Sequence, residues 1–279
     1  MPRQRPNDEY YTASQVKAIL GIKNSTLYNY VYKGVLQRVI PYGMRQGMYL
    51  RDEVDELARQ RKIYFSATQP EAVAESEETG AKFMIATLED MDGVHELAAR
   101  LFPRTIGAEL RRAWLAKNPQ GNYVVKKDNR VVAYFYLQPL AHDLLISYLF
   151  GGLWGWDITA DDIETFEPGK SVECMLGGIG SDPELNEATR SNCVMILLRG
   201  VMRDMERLGS EGIIIPKVYA YSNTPEGIAM CMHLGMKQFA PPQGKRFTFE
   251  MNTETSRSSI VRGYQRGLIR WRKEHQVGQ

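Results

Sequence analysis

A polar stretch in the first third of the chain separates two regions with different hydrophobic patterns. Residues 66–81, SATQPEAVAESEETGA, combine Pro, Gly, Ser and Glu without apolar periodicity, which is typical of an exposed linker. Short amphipathic helices are indicated before it, and strands alternate with helices after it. We therefore expect mixed α/β architecture, with a small domain over 1–64, an acidic flexible linker over 65–81, a larger domain over 82–252 and a basic C-terminal helix over 253–279.

The net charge of +2 conceals opposite signs along the chain. Residues 1–64 hold 11 basic against 6 acidic side chains, and residues 253–279 hold 6 against 2. Residues 65–252 are left with 18 basic and 25 acidic side chains. A polyanion would therefore favour the two ends of the chain and avoid its centre.

The composition argues against membrane, disulfide, zinc and hydrolase classes. Apolar runs such as VMILL stop far short of a membrane span, and no leader segment is indicated, so we expect a soluble cytoplasmic protein without a membrane partner. The cysteines have no close pair or zinc-ligand spacing, which predicts buried reduced thiols and no metal site. The histidines lack nucleophile spacing and are interpreted as structural. These residues are Cys174, Cys193, Cys231, His95, His142, His233 and His275.

The first 64 residues predict two helices, a hairpin and a third helix. Thr12 and Gln15 have capping-box spacing, and Gly21 suits the end of that helix. Asn24 or Ser25 can cap a second helix, which Gly34 ends. Residues 35–50 then read as two strands around a glycine-containing loop, and a helix starts at Asp52. Leu27, Tyr30 and Val31 are expected to face inward.

This segment resembles the MerR and excisionase type of winged helix-turn-helix over roughly residues 10–62, carried by YTASQVKAILGIKNSTLYNYVYKG and the hairpin and helix that follow. The resemblance implies double-stranded DNA as a partner, with the second helix in the major groove and the hairpin on the backbone or in the minor groove. Asn29 and Thr26 suit base edges, whereas basic side chains suit phosphates. The alternative is a module for protein contacts. The expected DNA-facing residues are Lys23, Ser25, Thr26, Tyr28, Asn29, Tyr32, Lys33, Arg38 and Arg45.

The larger domain opens with a strand and two helices, followed by a hairpin turning at Asp128–Asn129. Residues 148–156, YLFGGLWGW, then place aromatics among glycines, and Trp154 and Trp156 are expected to pack or to form a lid. The strand SVECMLGGIG follows, whose glycines permit a bulge or close ligand approach. A long helix comes next, with one apolar face formed by Val194, Leu197, Val201, Met205 and Leu208.

Residues 82–252 resemble the GNAT (GCN-related N-acetyltransferase) fold in element order and in two segments. One is YSNTPEGIAMCMHLGMKQF, with Gly235–Met236 at its end, and the other is SDPELNEATRSNCVM, in the place of a coenzyme A pyrophosphate loop. The resemblance implies acetyl-CoA or another acyl-CoA as co-substrate or ligand, held by free amides at a helix start near Ser191. A simple helix cap is the alternative. The implied binding residues are Ile179, Gly180, Asn186, Thr189, Arg190, Ser191, Asn192 and Asn223.

The same resemblance implies two groups for proton transfer to and from the reactants. Glu173 lies on the strand before the loop, where a carboxylate acts on the amine directly or through water. Alternation puts Glu173 and Met175 on one face of that strand and Cys174 on the other. Cys231 stands where a tyrosine acid is usual, four residues before Gly235. A surface glutamate and an inert buried thiol are the alternatives.

The tail has a two-sided helical pattern that predicts either a docked helix with a solvated basic face or a nucleic-acid contact. Taken together, the sequence predicts a DNA-binding transcriptional regulator whose GNAT-like domain binds acyl-CoA and transfers an acetyl group to an unidentified amine. A non-catalytic acyl-CoA sensor and an interaction scaffold stay open as alternatives, as does a homodimer. The apolar face comprises Ile260, Tyr264, Leu268 and Trp271, and the basic face Arg262, Arg266, Arg270 and Lys273.

Overall fold

The computed structural model describes residues 9–42, 44–68 and 80–276, which form two β-sheets with helices packed on them. The mixed α/β class predicted from the sequence is confirmed. Most of the expected linker, residues 69–79, lies outside the described residues. Within the described residues, every helix is too short or too polar to cross a lipid bilayer.

The small domain contains two helices, a hairpin and a third helix in the predicted order. A further strand, β1, pairs with β3 and gives a three-stranded antiparallel sheet in the order β1, β3, β2. The elements are β1 Tyr10–Thr12, α1 Ala13–Leu20, α2 Asn24–Tyr32, β2 Arg38–Val39, β3 Met48–Leu50 and α3 Arg51–Ala67.

Local chemistry accounts for the first helix of this domain. The Thr12 hydroxyl accepts a hydrogen bond from the Gln15 amide at 3.3 Å, and the Gln15 side chain accepts one from the Thr12 amide at 2.8 Å. Gly21 ends the helix in the left-handed conformation with φ 60°. The predicted side-chain cap of α2 by Asn24 or Ser25 is wrong. The helix begins at Asn24, so Lys23 occupies the N-cap position, and no side chain makes a capping hydrogen bond there.

The larger domain contains a seven-stranded sheet in the order β4, β5, β6, β7, β8, β10, β9. Its strand pairs are antiparallel, except that β7 and β8 are parallel. Asp128 and Asn129 form the predicted turn between β5 and β6, with φ 50° and 60°. The elements are β4 Lys82–Ile85, α4 Asp90–Leu101, α5 Ala108–Lys117, β5 Asn122–Lys127, β6 Arg130–Pro139, α6 His142–Leu149, β7 Cys174–Ser181, α7 Glu187–Ser210, β8 Lys217–Ser222, α8 Pro225–His233, β9 Lys237–Gln238, β10 Phe247–Asn252 and α9 Arg262–Gln276.

Two apolar clusters cover the two faces of this sheet. One contains Cys174 with residues of α7, α8 and α9, and the other contains Met175 and Tyr219 with residues of α4, α5 and α6. The tail helix α9 docks through the predicted face, where Tyr264 and Leu268 are buried. At Gly267 a Cβ would lie 2.5 Å from the Glu206 carbonyl oxygen, so this glycine allows α9 to approach α7 closely.

The small domain packs on the larger one through α3, which contacts α7 and α8. Helix α3 runs to Ala67, past the start of the expected linker at residue 65, and the Ser66 carbonyl accepts a hydrogen bond from Arg199 at 2.9 Å. Arg59 forms an ion pair with Glu187 at 2.5 Å. These contacts hold helix α3 against the N-terminal half of α7.

Candidate functional site

The parallel strands β7 and β8 open a gap in the middle of the large sheet. They pair only at Cys174 with Val218 and at Met175 with Tyr219. Beyond these pairs, β7 continues beside β6 as far as Ser181, and β8 continues beside β10. No further pair joins β7 to β8 in the described residues, so residues 176–181 present a strand edge to the gap. The predicted binding residues Ile179 and Gly180 lie on this edge, half-buried.

The glycines of β7 give the sheet its shape at this gap. The ladder with β6 is irregular between Phe135 and Leu137, so the predicted bulge is present. A Cβ at Gly177 would lie 1.6 Å from the ring of Tyr136, and one at Gly178 would lie 2.8 Å from the Tyr134 hydroxyl. These glycines therefore make room for two tyrosine rings of β6 rather than for a ligand.

Three polar side chains meet where the gap begins, and Glu173 lies directly before β7 rather than on it as predicted. Glu173 accepts a hydrogen bond from the Tyr219 hydroxyl at 3.3 Å and contacts His142 Nδ1 at 2.5 Å. Burial, followed by the Glu173 carboxylate, raises the pKa of Tyr219. The Glu173 carbonyl also accepts the amide of Leu140 at 3.1 Å, which ties the segment before α6 to β7. We call Glu173, His142 and Tyr219 the apex cluster.

A buried amide lies on the same face of the sheet as the apex cluster. Gln138 pairs with Met175 across β6 and β7, and strand alternation places it on the side of Tyr136. Gln138 is fully buried, and neither of its amide atoms has a hydrogen-bond partner in the described residues. Because an unpartnered buried amide is costly, its retention points to a polar group that binds there.

Aromatic and basic side chains form the rim on the β8 side. The Arg246 guanidinium lies 3.7 Å from the centre of the Tyr221 ring and donates to the Tyr148 carbonyl at 3.1 Å. Trp154 and Trp156 stack on each other at 5.3 Å between ring centres and stay about half exposed. The aromatic segment therefore packs against itself and also presents an open surface.

The start of α7 differs from the expected anion site. The helix begins at Glu187, so the Ser191 and Asn192 amides lie inside its hydrogen-bonding pattern and are not free. The Asn186 side chain caps the helix by accepting the Thr189 amide at 2.9 Å, and Arg190 donates its amide to the Asn186 carbonyl. The amides without an acceptor within the helix are those of Glu187 and Ala188, about one turn before Ser191.

Cys231, the second predicted catalytic residue, does not lie beside Glu173, the first. Cys231 is buried in the cluster that contains Cys174, whereas Glu173 bonds to Tyr219 of the other cluster. Burial raises the pKa of the Cys231 thiol to about 12. A thiol in this position is core packing and is a poor proton donor. Asn223 is exposed directly after β8, at the open end of the gap.

The small domain exposes most of the face that was expected to meet DNA. Tyr28 and Tyr32 of α2 are 71% and 59% exposed. The Lys33 side chain departs from the expectation, because it bonds to Gln238 of the larger domain and its ammonium lies over the Phe247 ring. The exposed residues are Lys23, Ser25, Tyr28, Asn29, Tyr32, Arg38 and Arg45, with Thr26 half-buried.

Sequence reasoning missed three of the residues at the gap. The sequence predicts a structural role for His142, and its pattern assigns no role to Tyr219 or Gln138. Their positions depend on strand pairing. Leu140, directly after β6, is hydrogen-bonded to Glu173, directly before β7, and Met175 pairs with both Gln138 and Tyr219. Only a polar residue in an otherwise apolar strand, as Gln138 is, could have signalled the site.

No protein-family model matches the chain, and no curated protein matches its sequence. Among solved structures, the loading GNATL domain of CurA from Lyngbya majuscula is 13% identical with a TM-score of 0.43, covering 62% of this chain and 97% of that chain. The GphF GNAT-like decarboxylase in complex with isobutyryl-CoA is 14% identical with a TM-score of 0.41, covering 61% and 98%. The ribosomal-protein-S18-alanine N-acetyltransferase from Escherichia coli is 12% identical with a TM-score of 0.37, covering 62% and 93%. These values assign no activity to this chain.

Proposed function

We propose that the larger domain binds an acyl-CoA in the gap between β7 and β8 and transfers the acyl group to an amine. The observation that carries this proposal is the separation of two parallel strands directly beyond a cluster of titratable side chains. The GNAT resemblance of the sequence leads to the same place in the sheet. We also propose that the small domain binds DNA, which would make the chain a DNA-binding regulator.

The gap suits the arm of coenzyme A for a simple chemical reason. The pantetheine arm is extended and contains amide groups, which can pair with the free edge of residues 176–181 as an added strand would. Such pairing would draw the thioester toward Met175 and Tyr219, where the strands rejoin. The apex cluster then lies beside the reacting carbonyl.

Transfer to an amine requires that the ammonium form of the acceptor first lose a proton. Glu173 lies at the closed end of the gap, where its carboxylate acts on the amine directly or through a group bound to it. The unpartnered amide of Gln138 would accept or donate to the acyl or acceptor group on the same face.

The phosphates of the ligand would lie at the open end, near the start of α7. The amides of Glu187 and Ala188 and the Arg190 side chain are the donors that this end offers. The Glu187 carboxylate pairs with Arg59 of α3, so its repulsion of phosphate is partly offset by a basic group from the small domain. Ligand binding and the contact between the two domains are therefore coupled in this proposal.

Calorimetric titration with acetyl-CoA tests the binding step. Arg190→Ala should weaken acetyl-CoA binding by roughly tenfold or more, since a hydrogen bond to a charged group contributes about 1.5–3 kcal/mol. Arg203→Ala is the matched control, because Arg203 is an exposed basic residue of the same helix about three and a half turns farther along. Equal affinities for both variants would contradict the placement of the phosphates, and no binding by the unmodified protein would overturn the proposal.

Release of free thiol from acetyl-CoA with a panel of amines tests the transfer step. Thiol release that Glu173→Gln abolishes, while acetyl-CoA affinity persists, is the expected result. Binding without thiol release would instead assign the domain to acyl-CoA sensing. In that case the proposed binding of acyl-CoA would stand, and the proposed acyl transfer would be rejected.

For the small domain, we propose that α2 and the β2–β3 hairpin bind double-stranded DNA. The observation in favour is the exposed face of α2, on which Tyr28, Asn29 and Tyr32 lie side by side. The small domain that carries this face has an excess of basic side chains. Lys33 is omitted from this face because it contacts the larger domain.

Binding to a random duplex at several salt concentrations tests this second proposal. Arg45→Ala should reduce the slope of log affinity against log salt concentration by about one. Lys117→Ala, at an exposed position of the larger domain, should leave this slope unchanged. Asn29→Ala should weaken binding to a selected sequence more than to random DNA. If Arg45→Ala and Asn29→Ala both leave binding unchanged, α2 and the hairpin are not the DNA-binding surface.

A further inference from the structure

We infer that His142, held in place by Glu173, is the group that accepts the proton of the acceptor amine. This inference deepens the proposed acyl transfer and rests on it. Glu173 acts through His142 and is a positioning residue. The resemblance implies Glu173 as the direct base, whereas this inference gives that role to the imidazole of His142.

The exposures of the two side chains favour this order. The Glu173 side chain is 22% exposed, and both of its oxygens are engaged, one by His142 and the other by Tyr219. The His142 side chain is 59% exposed. An incoming amine therefore meets the imidazole, while the carboxylate lies behind it.

The backbone fixes the imidazole at this point. His142 is the first residue of α6, which follows β6 after Leu140 and Ala141. The Leu140 amide donates to the Glu173 carbonyl at 3.1 Å, so the start of α6 is tied to the residue that directly precedes β7. The position of His142 relative to the gap is thus set by main-chain hydrogen bonding.

The contact with Glu173 also sets the proton positions. A carboxylate accepts, so Nδ1 of His142 carries the proton and donates it to Glu173, which leaves the lone pair of Nε2 available. Nε2 takes a proton from the ammonium group, and the neutral amine attacks the thioester carbonyl. The C–N bond forms, the C–S bond breaks, and the thiolate leaves with the electron pair. The second amine proton passes to the thiolate through solvent, and the imidazolium returns its proton to solvent.

Measurement of kcat/KM for thiol release against pH tests the inference. His142→Ala should lower kcat/KM by about 10²–10⁴-fold and remove the acidic limb of the profile. Added imidazole should restore part of the activity of His142→Ala and none of that of Glu173→Gln, because the latter retains its imidazole. His275→Gln is the control, at an exposed histidine of α9 whose ring bonds only to its own helix among the described residues.

The outcomes separate this inference from the proposed function. If the unmodified protein transfers acyl groups and His142→Ala retains kcat/KM within threefold, the inference is overturned and the function stands. If His142→Ala is inactive and imidazole restores no activity at any pH, a structural role for His142 replaces the inferred one. If the unmodified protein releases no thiol with any amine, the transfer reaction fails and the inference fails with it.

Discussion

Replacement of Gln138 by methionine tests whether the buried amide at the gap is retained for a ligand. Gln138 is fully buried, and neither amide atom has a partner among the protein groups that the structure describes. An unsatisfied buried polar group costs about 1–3 kcal/mol, and methionine keeps the length of the side chain without its polar atoms. We therefore expect Gln138→Met to raise the free energy of unfolding by about 2 kcal/mol. This increase corresponds to a rise in Tm of about 4–8 °C.

Gln265 offers the opposite case in the same protein. Its Nε2 donates to the carbonyl oxygens of Thr253, Glu254 and Ser256 at 2.7, 3.2 and 2.9 Å. Gln265→Met should therefore lower the free energy of unfolding by about 1–3 kcal/mol, since it leaves these carbonyls without their donor. The two substitutions are chemically identical and are expected to differ in sign.

Urea denaturation of both variants with unchanged m-values measures these differences, and titration with acetyl-CoA measures the cost to binding. Gln138→Met should gain stability and lose acetyl-CoA affinity or turnover. If it loses as much stability as Gln265→Met, the amide is hydrogen-bonded and the reasoning is refuted. If it gains stability and keeps both affinity and turnover, the amide does not serve a ligand.

Three further substitutions probe the scaffold of the site and the contact between the two domains. Gly177→Ala should lower the free energy of unfolding by about 1–3 kcal/mol and weaken acetyl-CoA binding, because the new Cβ displaces the Tyr136 ring. Asp182→Ala should cost about 2 kcal/mol, because Asp182 is fully buried and pairs with Arg130 at 2.8 Å and Arg100 at 3.3 Å. Burial, with a smaller contribution from Arg61, lowers the pKa of His233 from 6.5 to about 4. Protonation therefore favours the unfolded chain, and stability should fall by on the order of 2 kcal/mol as pH drops from 6.5 toward 4. His233→Gln should flatten this dependence.

Each of these substitutions has a control that isolates its cause. For Gly177→Ala, a double-mutant cycle with Tyr136→Ala should show coupling, and additive effects would contradict the steric argument. For Asp182→Ala, Asp161→Ala is the control at an exposed aspartate, and an equal loss of stability in both would exclude the buried ion pair as the cause. For His233, urea midpoints at several pH values are compared with those of His142→Gln. An identical pH dependence in the unmodified protein and His233→Gln would refute the assignment.

Much of the local structure could be predicted, because it depends on neighbouring residues. The Thr12–Gln15 capping box, the Gly21 helix end and the Asp128–Asn129 turn follow from side-chain chemistry within a few residues. The apolar faces of α7 and α9 follow from helical periodicity. The cap of α2 and the start of α7 near Ser191 could not be predicted, since several polar residues there compete for the same role.

Most of the order and type of the elements, the basic ends with an acidic centre and the strand that follows Glu173 were determined by the sequence alone, because each depends on local pattern. The strand β1 and the helix α6 were not predicted. The meeting of Glu173 with His142 and Tyr219 was decided only by the tertiary structure, since these residues lie on separate elements joined through strand pairing. The same holds for the contact of Lys33 with Gln238 and for the separation of β7 from β8. Strand register and packing bring residues that are distant in the sequence into contact, and the hydrophobic pattern of the sequence does not specify these contacts.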